Sequence, residues 1–258
     1  MFFKNVKFYR YPTAKEKVIF QCDELYFTKY AFYNLISCNN AGHDVHIHFI
    51  NPSQKFLDKV DNIKLEIDLS ITTEELAIEN INYYKLKSYY FCSRYFVTDL
   101  LFSKGLIDKA YVVDADIIIN EKISFEEKIQ LGVLYYPNYT NYWKQTGANF
   151  LYVCKSRQDF ITKIIQSYLK KLEEVKFEEI HEGMEKYVRS NMYGLDQVCM
   201  SLQMSDENVE DEKFLNLSSV DNFISKTPYT KIWSFTGAGT KQNPDLQNIL
   251  ISKFKKSF

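Results

Sequence analysis

Short runs of β-branched and aromatic residues alternate along this chain with longer stretches of helical spacing. Lys17-Val18-Ile19-Phe20-Gln21-Cys22-Asp23 is apolar until its polar end and predicts a first strand. Glu24 to Cys38 places Tyr26, Tyr30, Tyr33 or Asn34, and Ser37 or Cys38 at helical spacing, with Asn39-Asn40-Ala41-Gly42 as the stop. Asp44 to Pro52 predicts a second strand, and residues 61–70 alternate strictly, as a half-exposed strand would. Asn82 to Lys104 predicts a helix with an aromatic first half, stopped by Gly105. In the stretch from Ala110 to Asn120, mostly apolar residues lead into Asp114 and Asp116, and three isoleucines follow. That run predicts a strand buried on both faces. Strands that alternate with helices predict a mainly parallel sheet with right-handed crossovers.

Beyond Asn120 the pattern changes. Leu131 to Tyr136 and Asn149 to Val153 predict two strands joined by an aromatic loop, Pro137 to Thr146. Gln158 to Arg189 predicts a long charged helix or helix pair, and Tyr193 to Met200 opens another helix after Gly194. Lys231 to Lys241 predicts a late strand that runs into a glycine loop. The expected fold is α/β: a central, mainly parallel sheet flanked by helices, with a small second antiparallel sheet region. No repeat, low-complexity tract or linker interrupts it, so one domain is expected, with halves at about 17–120 and 121–245 and a basic tail at 246–258.

Composition narrows the function classes. A chain of 258 residues with 46% hydrophobic and 25% charged residues can bury a sizeable core. A net charge of -1 gives no electrostatic case for nucleic acid as a partner. The 20 Tyr and 20 Phe suit a surface that stacks on bases or sugar rings, or they reflect AT-rich codon usage, since Lys, Asn and Ile are abundant too. Cys22, Cys38, Cys92, Cys154 and Cys199 are odd in number and form no CxxC pair, which predicts free thiols in a reducing compartment. The first residues carry no long apolar h-region, and no apolar run reaches the 18 to 20 residues of a spanning helix. The expected location is cytoplasmic. The Ile249 to Phe258 stretch mixes aliphatics, two Phe and three Lys; it reads as a packed terminal helix with a basic end or as a peripheral contact with an anionic membrane.

The chemistry centres on Asp114 and Asp116. Unpaired carboxylates do not belong inside a buried strand, so they are expected at its carboxyl end, where open α/β sheets bind ligands. At i and i+2 on a strand they would share one face and converge on a hard cation and its phosphate oxygens. The alternative is a turn that follows a strand. Asp23 ends the first strand and is expected on the same sheet edge, and Gly237-Ala238-Gly239-Thr240-Lys241 has the flexibility and charge to wrap a diphosphate. His46 and His48 share one strand face and read as a polar face or as metal donors. The acids between Leu172 and Glu179 read as a solvated helix face.

In this order, these pieces resemble the GT-A-fold nucleotide-sugar glycosyltransferases, and glycosyltransferase family 8 most of all. The resemblance rests on Asp23 with Tyr26, the aromatic-Arg helix from Tyr90 to Arg94, Asp114-Ala115-Asp116, Thr146-Gly147-Ala148-Asn149, Asp196-Gln197, and Ser234-Phe235-Thr236-Gly237 with Lys241. It spans about residues 17 to 245. It implies transfer of a sugar from a nucleoside diphosphate sugar, UDP-linked, to a hydroxyl of a glycan or glycolipid acceptor, with retention. It implies donor contacts from Gln21, Cys22, Asp23, Tyr26, Arg94, Ala115, Gly147, Gly237 and Lys241. Asp114 and Asp116 would hold Mn²⁺ or Mg²⁺, and Asp196 and Gln197 would lie at the transferred sugar, unless Asp196 is simply a helix N-cap. The family's third metal ligand, a His, falls on Ser234, a poor ligand for a transition metal. Thr146 stands for a usual Asn, the loop before Lys241 is one residue longer, and Gln242-Asn243 replaces a Pro-Trp. Two alternative functions are a nucleotide-sugar-binding module without turnover and a phosphohydrolase of the haloacid dehalogenase type. The tyrosine-rich loop from Tyr135 to Trp143 reads as an acceptor wall or as a packed aromatic cluster.

Overall fold

A computed structural model of the chain describes residues 3–79, 81–174, 195–235 and 238–254. At its centre β2 (Glu16–Cys22), β3 (Val45–Ile50), β4 (Leu69–Glu74) and β5 (Lys109–Val113) run parallel, in the order β4-β3-β2-β5. Every residue of β3 is buried, as a strand covered on both faces requires. At one edge β1 (Val6–Arg10) pairs antiparallel with β4. On the other side β8 (Thr146–Cys154) pairs antiparallel with β5, β7 (Leu131–Tyr135) antiparallel with β8, and β9 (Phe214–Asn216) parallel with β7. A second sheet holds β10 (Ile224–Ser225), β11 (Ile232–Ser234) and β6 (Ile117–Ile119).

Hydrophobic cores form on the two faces. One sets Phe20, Ile47 and Tyr111 against the helix Phe32–Ala41 and Trp233. The other sets Ile19, Val112 and Leu151 against α4 (Tyr83–Ser103), α6 (Gln158–Glu174) and α7 (Leu195–Met204), which follow α1 (Glu24–Tyr26), α2 (Phe32–Ala41) and α3 (Gln54–Asp61) and flank α5 (Tyr142–Gln145) in chain order. The predicted stops hold for a backbone reason: Gly42 and Gly105 adopt φ of 72° and 66°, where a side chain would be strained. All five cysteines are free thiols. No helix among the described residues is long and apolar enough to cross a membrane. The terminal segment forms a helix over Pro244–Phe254 that buries Leu250 and Phe254 and sets Phe254 against Tyr33, the packed alternative as far as Phe254.

Three expectations need correction. The strand placed at 61–70 lies at Leu69–Glu74 instead. Asn39 Oδ1 accepts from the Glu66 N–H at 2.7 Å and Asp44 Oδ1 from the Asp68 N–H at 2.7 Å, so side chains take the donors that a ladder would use. Ile63, Leu65 and Ile67 still pack on the core, which explains the alternation. The run from Ala110 to Asn120 is not one strand: β5 stops at Val113, Asp114 to Asp116 turn, and the isoleucines form β6 in the second sheet. Finally, the segment after Phe235 is helical over Ala238–Lys241 rather than an open loop. The charged helix is described only as far as Glu174; its continuation to Arg189, with the acids beyond it, lies outside the described residues.

His46 and His48 form a buried polar ladder across β3 and β4. The His46 ring nitrogens lie 2.9 Å from Ser70 Oγ and 3.0 Å from Thr72 Oγ1, and those of His48 3.0 Å from Thr72 Oγ1 and 3.4 Å from Glu74 Oε2. The reading as a polar strand face is the one these contacts support. Burial holds the His46 pKa well below its ordinary value, with the charges of His48 and Lys17 adding to the effect. Below pH 6.5 the unfolded chain therefore binds a proton that the folded chain refuses, and stability falls as pH drops through that value. The melting temperature should decline from pH 6.5 to 5, and less steeply in His46→Gln. An equal slope in the two proteins would show that His46 does not carry the effect.

Candidate functional site

Parallel neighbours β2 and β5 end at Cys22 and Val113, which brings Asp23 and Asp114 to one sheet edge. Asp23 caps the helical turn Glu24–Tyr26, its Oδ1 accepting from the Tyr26 N–H at 2.7 Å. That turn aims the Tyr26 hydroxyl at Asp116 Oδ2, to which it donates at 2.6 Å. Lys241 Nζ reaches the same oxygen at 2.5 Å and the Tyr26 hydroxyl at 2.6 Å, and it lies 4.9 Å from the ring centroids of both Tyr26 and Tyr30. The turn between the acids is pinned on several sides. Asn34 Nδ2 donates to the Asp114 carbonyl at 3.2 Å, Asn149 O accepts from the Asp114 N–H at 3.2 Å, and Asp116 O accepts from the Phe235 N–H at 3.0 Å.

Arg94 joins the two halves of the site. It is 1% exposed; one terminal nitrogen pairs with Asp114 Oδ1, and the other donates to Asp196 Oδ2 at 2.9 Å and to the Ala148 carbonyl at 2.8 Å. Asp196 is the second residue of α7; its Oδ1 accepts from the first-turn N–H of Gln197 at 2.9 Å while its Oδ2 pairs with Arg94. Burial pushes its pKa up to about 6, with Arg94 pulling the other way and Asp114 adding to the rise. Asp116 is also raised, by burial and then by the charge of Asp114, against the pull of Lys241. The two acids of the Asp-x-Asp thus do not act as a matched pair on one strand face. Each has its own cation, Arg94 for Asp114 and Lys241 for Asp116.

The other expected residues fall around the same cleft, of about 1060 Å³. Gln21, Cys22, Asp23, Tyr26, Arg94, Asp114, Ala115, Asp116, Gly147, Asp196, Gln197 and Lys241 all line it. Gln197 and Thr146 tie α7 to β8: Thr146 Oγ1 donates to the Gln197 carbonyl at 2.9 Å and Gln197 Nε2 to the Thr146 carbonyl at 3.2 Å. A Cβ on Gly147 would lie 3.0 Å from Leu134 Cδ1 and 3.1 Å from Asn149 Oδ1, so a side chain here would need those neighbours to yield. Gly237 lies outside the described residues. Ser234 is buried on β11 behind the cleft wall, with Nδ2 of the lining residue Asn149 donating to its Oγ at 3.4 Å.

Sequence reasoning missed most of one wall. Tyr83, Leu86, Lys87, Tyr90 and Phe91 line the cleft together with Arg94. Their spacing back from Arg94 by three, four, seven, eight and eleven is one face of α4, and that period was the available signal. Across the cleft stand Tyr136, Tyr139 and Lys144. Tyr83, Tyr136 and Tyr139 are exposed, so these rings are not simply a packed cluster.

Among the described residues no three His, Cys, Asp or Glu side chains gather as a metal cluster. Among the described residues, Asp114 and Asp116 are the paired carboxylates at the cleft, and each is already engaged by a cation of the protein. As an oxygen-only pair they would suit a hard cation such as Mg²⁺ or Mn²⁺.

No family model matches the sequence, and no curated protein matches it. Solved structures do resemble it. The glycosyltransferase GlyE of Streptococcus pneumoniae TIGR4 aligns with a TM-score of 0.57, and its apo form with 0.58, both at 14% sequence identity. The likeness is one of fold. Each alignment covers 95% of this chain and 61% of the GlyE chain, so this chain spans less than two thirds of that protein's length.

Proposed function

We propose that the protein is a GT-A glycosyltransferase, most like family 8, that moves a sugar from a uridine diphosphate sugar to a hydroxyl of a glycan or glycolipid, with retention. One observation carries the reading: Asp114, Asp116, Arg94, Asp196 and Lys241 meet at the carboxyl edge of a parallel sheet, in a cleft of about 1060 Å³, on a fold that a glycosyltransferase shares. A volume of that order has room for a donor and part of an acceptor.

In this reading Asp114 and Asp116 hold a divalent cation, which when bound offsets charge that develops on the diphosphate leaving group. Lys241 leaves Asp116 for the diphosphate and adds a second positive charge there. Arg94 fixes Asp114 and Asp196 in place, and with its buried fork keeps both carboxylates oriented before the donor arrives. Asp196 takes hydroxyls of the transferred sugar, and Gln197 lies beside its anomeric carbon. The exposed rings of Tyr83, Tyr136 and Tyr139 offer faces on which acceptor sugars stack.

A thermal-shift panel of nucleoside diphosphates and their sugars, each with and without Mn²⁺ or Mg²⁺, tests the proposal. UDP sugars should raise the melting temperature, and more so with metal, because a ligand that binds only the folded state stabilises it by mass action. Slow release of free sugar from the bound donor should accompany the shift. A panel in which no nucleotide sugar shifts the midpoint would sink the proposal. A shift with neither sugar release nor transfer would favour the binding-module reading.

A further inference from the structure

A second cavity, of about 240 Å³, lies beside the cleft, and Tyr136 lines both. Its other wall is the segment from Leu217 to Ser225, which follows β9 and ends in β10. Within that segment Val220 to Phe223 close a turn, the Val220 carbonyl accepting from the Phe223 N–H at 3.3 Å. Asp221 and Asn222 are its central residues, and Asn222 takes φ of 54°, a left-handed conformation that Asn tolerates better than most side chains. Phe223 anchors the turn in the core, and the two polar residues before it line the cavity. The Ser218 hydroxyl donates to the Tyr135 carbonyl at 2.6 Å, which ties the segment to the end of β7, next to Tyr136. Ser225 brings a further hydroxyl to the lining.

The chemistry of this cavity differs from that of the cleft. No Lys, Arg or His lines it and Asp221 does, so its charge opposes a phosphate or a carboxylate. A carboxylate, an amide and two hydroxyls beside an aromatic ring suit a neutral sugar. The carboxylate and the amide oxygen accept from its hydroxyls, and its apolar face rests on the ring. The volume lies below the range of about 300–1,000 Å³ typical of drug-sized ligands, so the cavity suits a single ring. We propose that it is an acceptor subsite, which holds a neutral sugar residue beyond the one that reacts in the cleft. The acceptor is then an oligosaccharide rather than a monosaccharide. The inference rests on the glycosyltransferase reading above and gives its acceptor a minimum length and an uncharged character. Tyr136, exposed and shared by the two cavities, is the partition over which the glycan runs.

The experiment is a glycan array printed with mono-, di-, tri- and tetrasaccharides of glucose, galactose and N-acetylglucosamine. It is probed with the full chain in the presence of UDP and Mg²⁺, and the bound series is then titrated by calorimetry. At least one series should bind, its longer members at least about tenfold more tightly than its monosaccharide. Asp221→Ala should weaken the longer members by about that factor, so that the dependence on length collapses. The length series needs only the wild type, so it stands even if the alanine variant fails to fold. A monosaccharide bound as tightly as its oligomers, or undiminished length dependence in Asp221→Ala, would overturn the subsite and leave the glycosyltransferase reading in place. An array that binds nothing, although UDP sugars raise the melting temperature, would do the same. Failure of glycans and UDP sugars alike would overturn the glycosyltransferase reading, and this inference with it.

Discussion

Arg94→Met should destabilise the protein by about 3–5 kcal/mol at pH 8 and abolish nucleotide-sugar turnover. The guanidinium is 1% exposed and serves Asp114, Asp196 and the Ala148 carbonyl. Methionine fills the space but donates nothing, so two carboxylates and a carbonyl lose their partner at once. The pH dependence identifies the cause. Asp196 already has a folded pKa near 6, above the ordinary carboxylate value, because of burial, and Arg94 is the group that restrains the rise. A raised carboxylate contributes stability at low pH that is lost as pH climbs through its folded pKa. Without Arg94 that pKa moves further up, so the variant should regain stability on going from pH 8 to 6.5, a range above the one in which His46 acts. Arg94→Lys keeps the charge but not the planar fork and should recover only part of the loss. Urea unfolding at the two pH values measures all of this. A methionine variant as stable as wild type at pH 8, or one indifferent to acid, would show that Arg94 is not the keystone of the site.

Asp114→Asn and Asp116→Asn should each lower transfer at least about a hundredfold, and Asp114→Asn, which leaves the buried Arg94 with one carboxylate, should also lower the melting temperature, though less than Arg94→Met. Asparagine keeps the shape and one acceptor oxygen, so Tyr26 can still donate to residue 116 and Arg94 to residue 114. What disappears is the negative charge that a divalent cation needs. Titration of Mn²⁺ in the presence of UDP should show the binding weakened in both variants. Near-native turnover with every donor tried, in either variant, would refute the metal-site assignment.

Much of the site could be read in the sequence because its parts sit where strands end. The apolar runs before Asp23 and Asp114 mark buried parallel strands, and β2 and β5 are neighbours, so both acids emerge at one edge. The turn between Asp114 and Asp116 was harder to see. Ile117 to Ile119 continue the apolar run without a break in composition, and only the three-dimensional arrangement assigns them to a different sheet. The pairing of charges was not visible at all. Arg94 lies 102 residues from Asp196, and no local period links groups so far apart. Strand β1 was missed because Val6 to Arg10 is a half-buried edge strand with charged residues in it, which carries little of the apolar signal of a central strand.

The seam between the two sheets has a mechanical consequence. Asp116 sits immediately before β6, the Phe235 N–H that follows β11 is bonded to its carbonyl, and Lys241 ends the short helix after that strand. Asp114 and Arg94, by contrast, belong to the large sheet and to the α4 helix packed on it. The acidic pair therefore straddles the junction of the two sheets, with Ala115 between them and one hydrophobic core beneath both. Tyr26, which follows β2 of the large sheet, bonds both Asp116 and Lys241 across that junction, so the separation of the two carboxylates depends on how the small sheet packs against the large one.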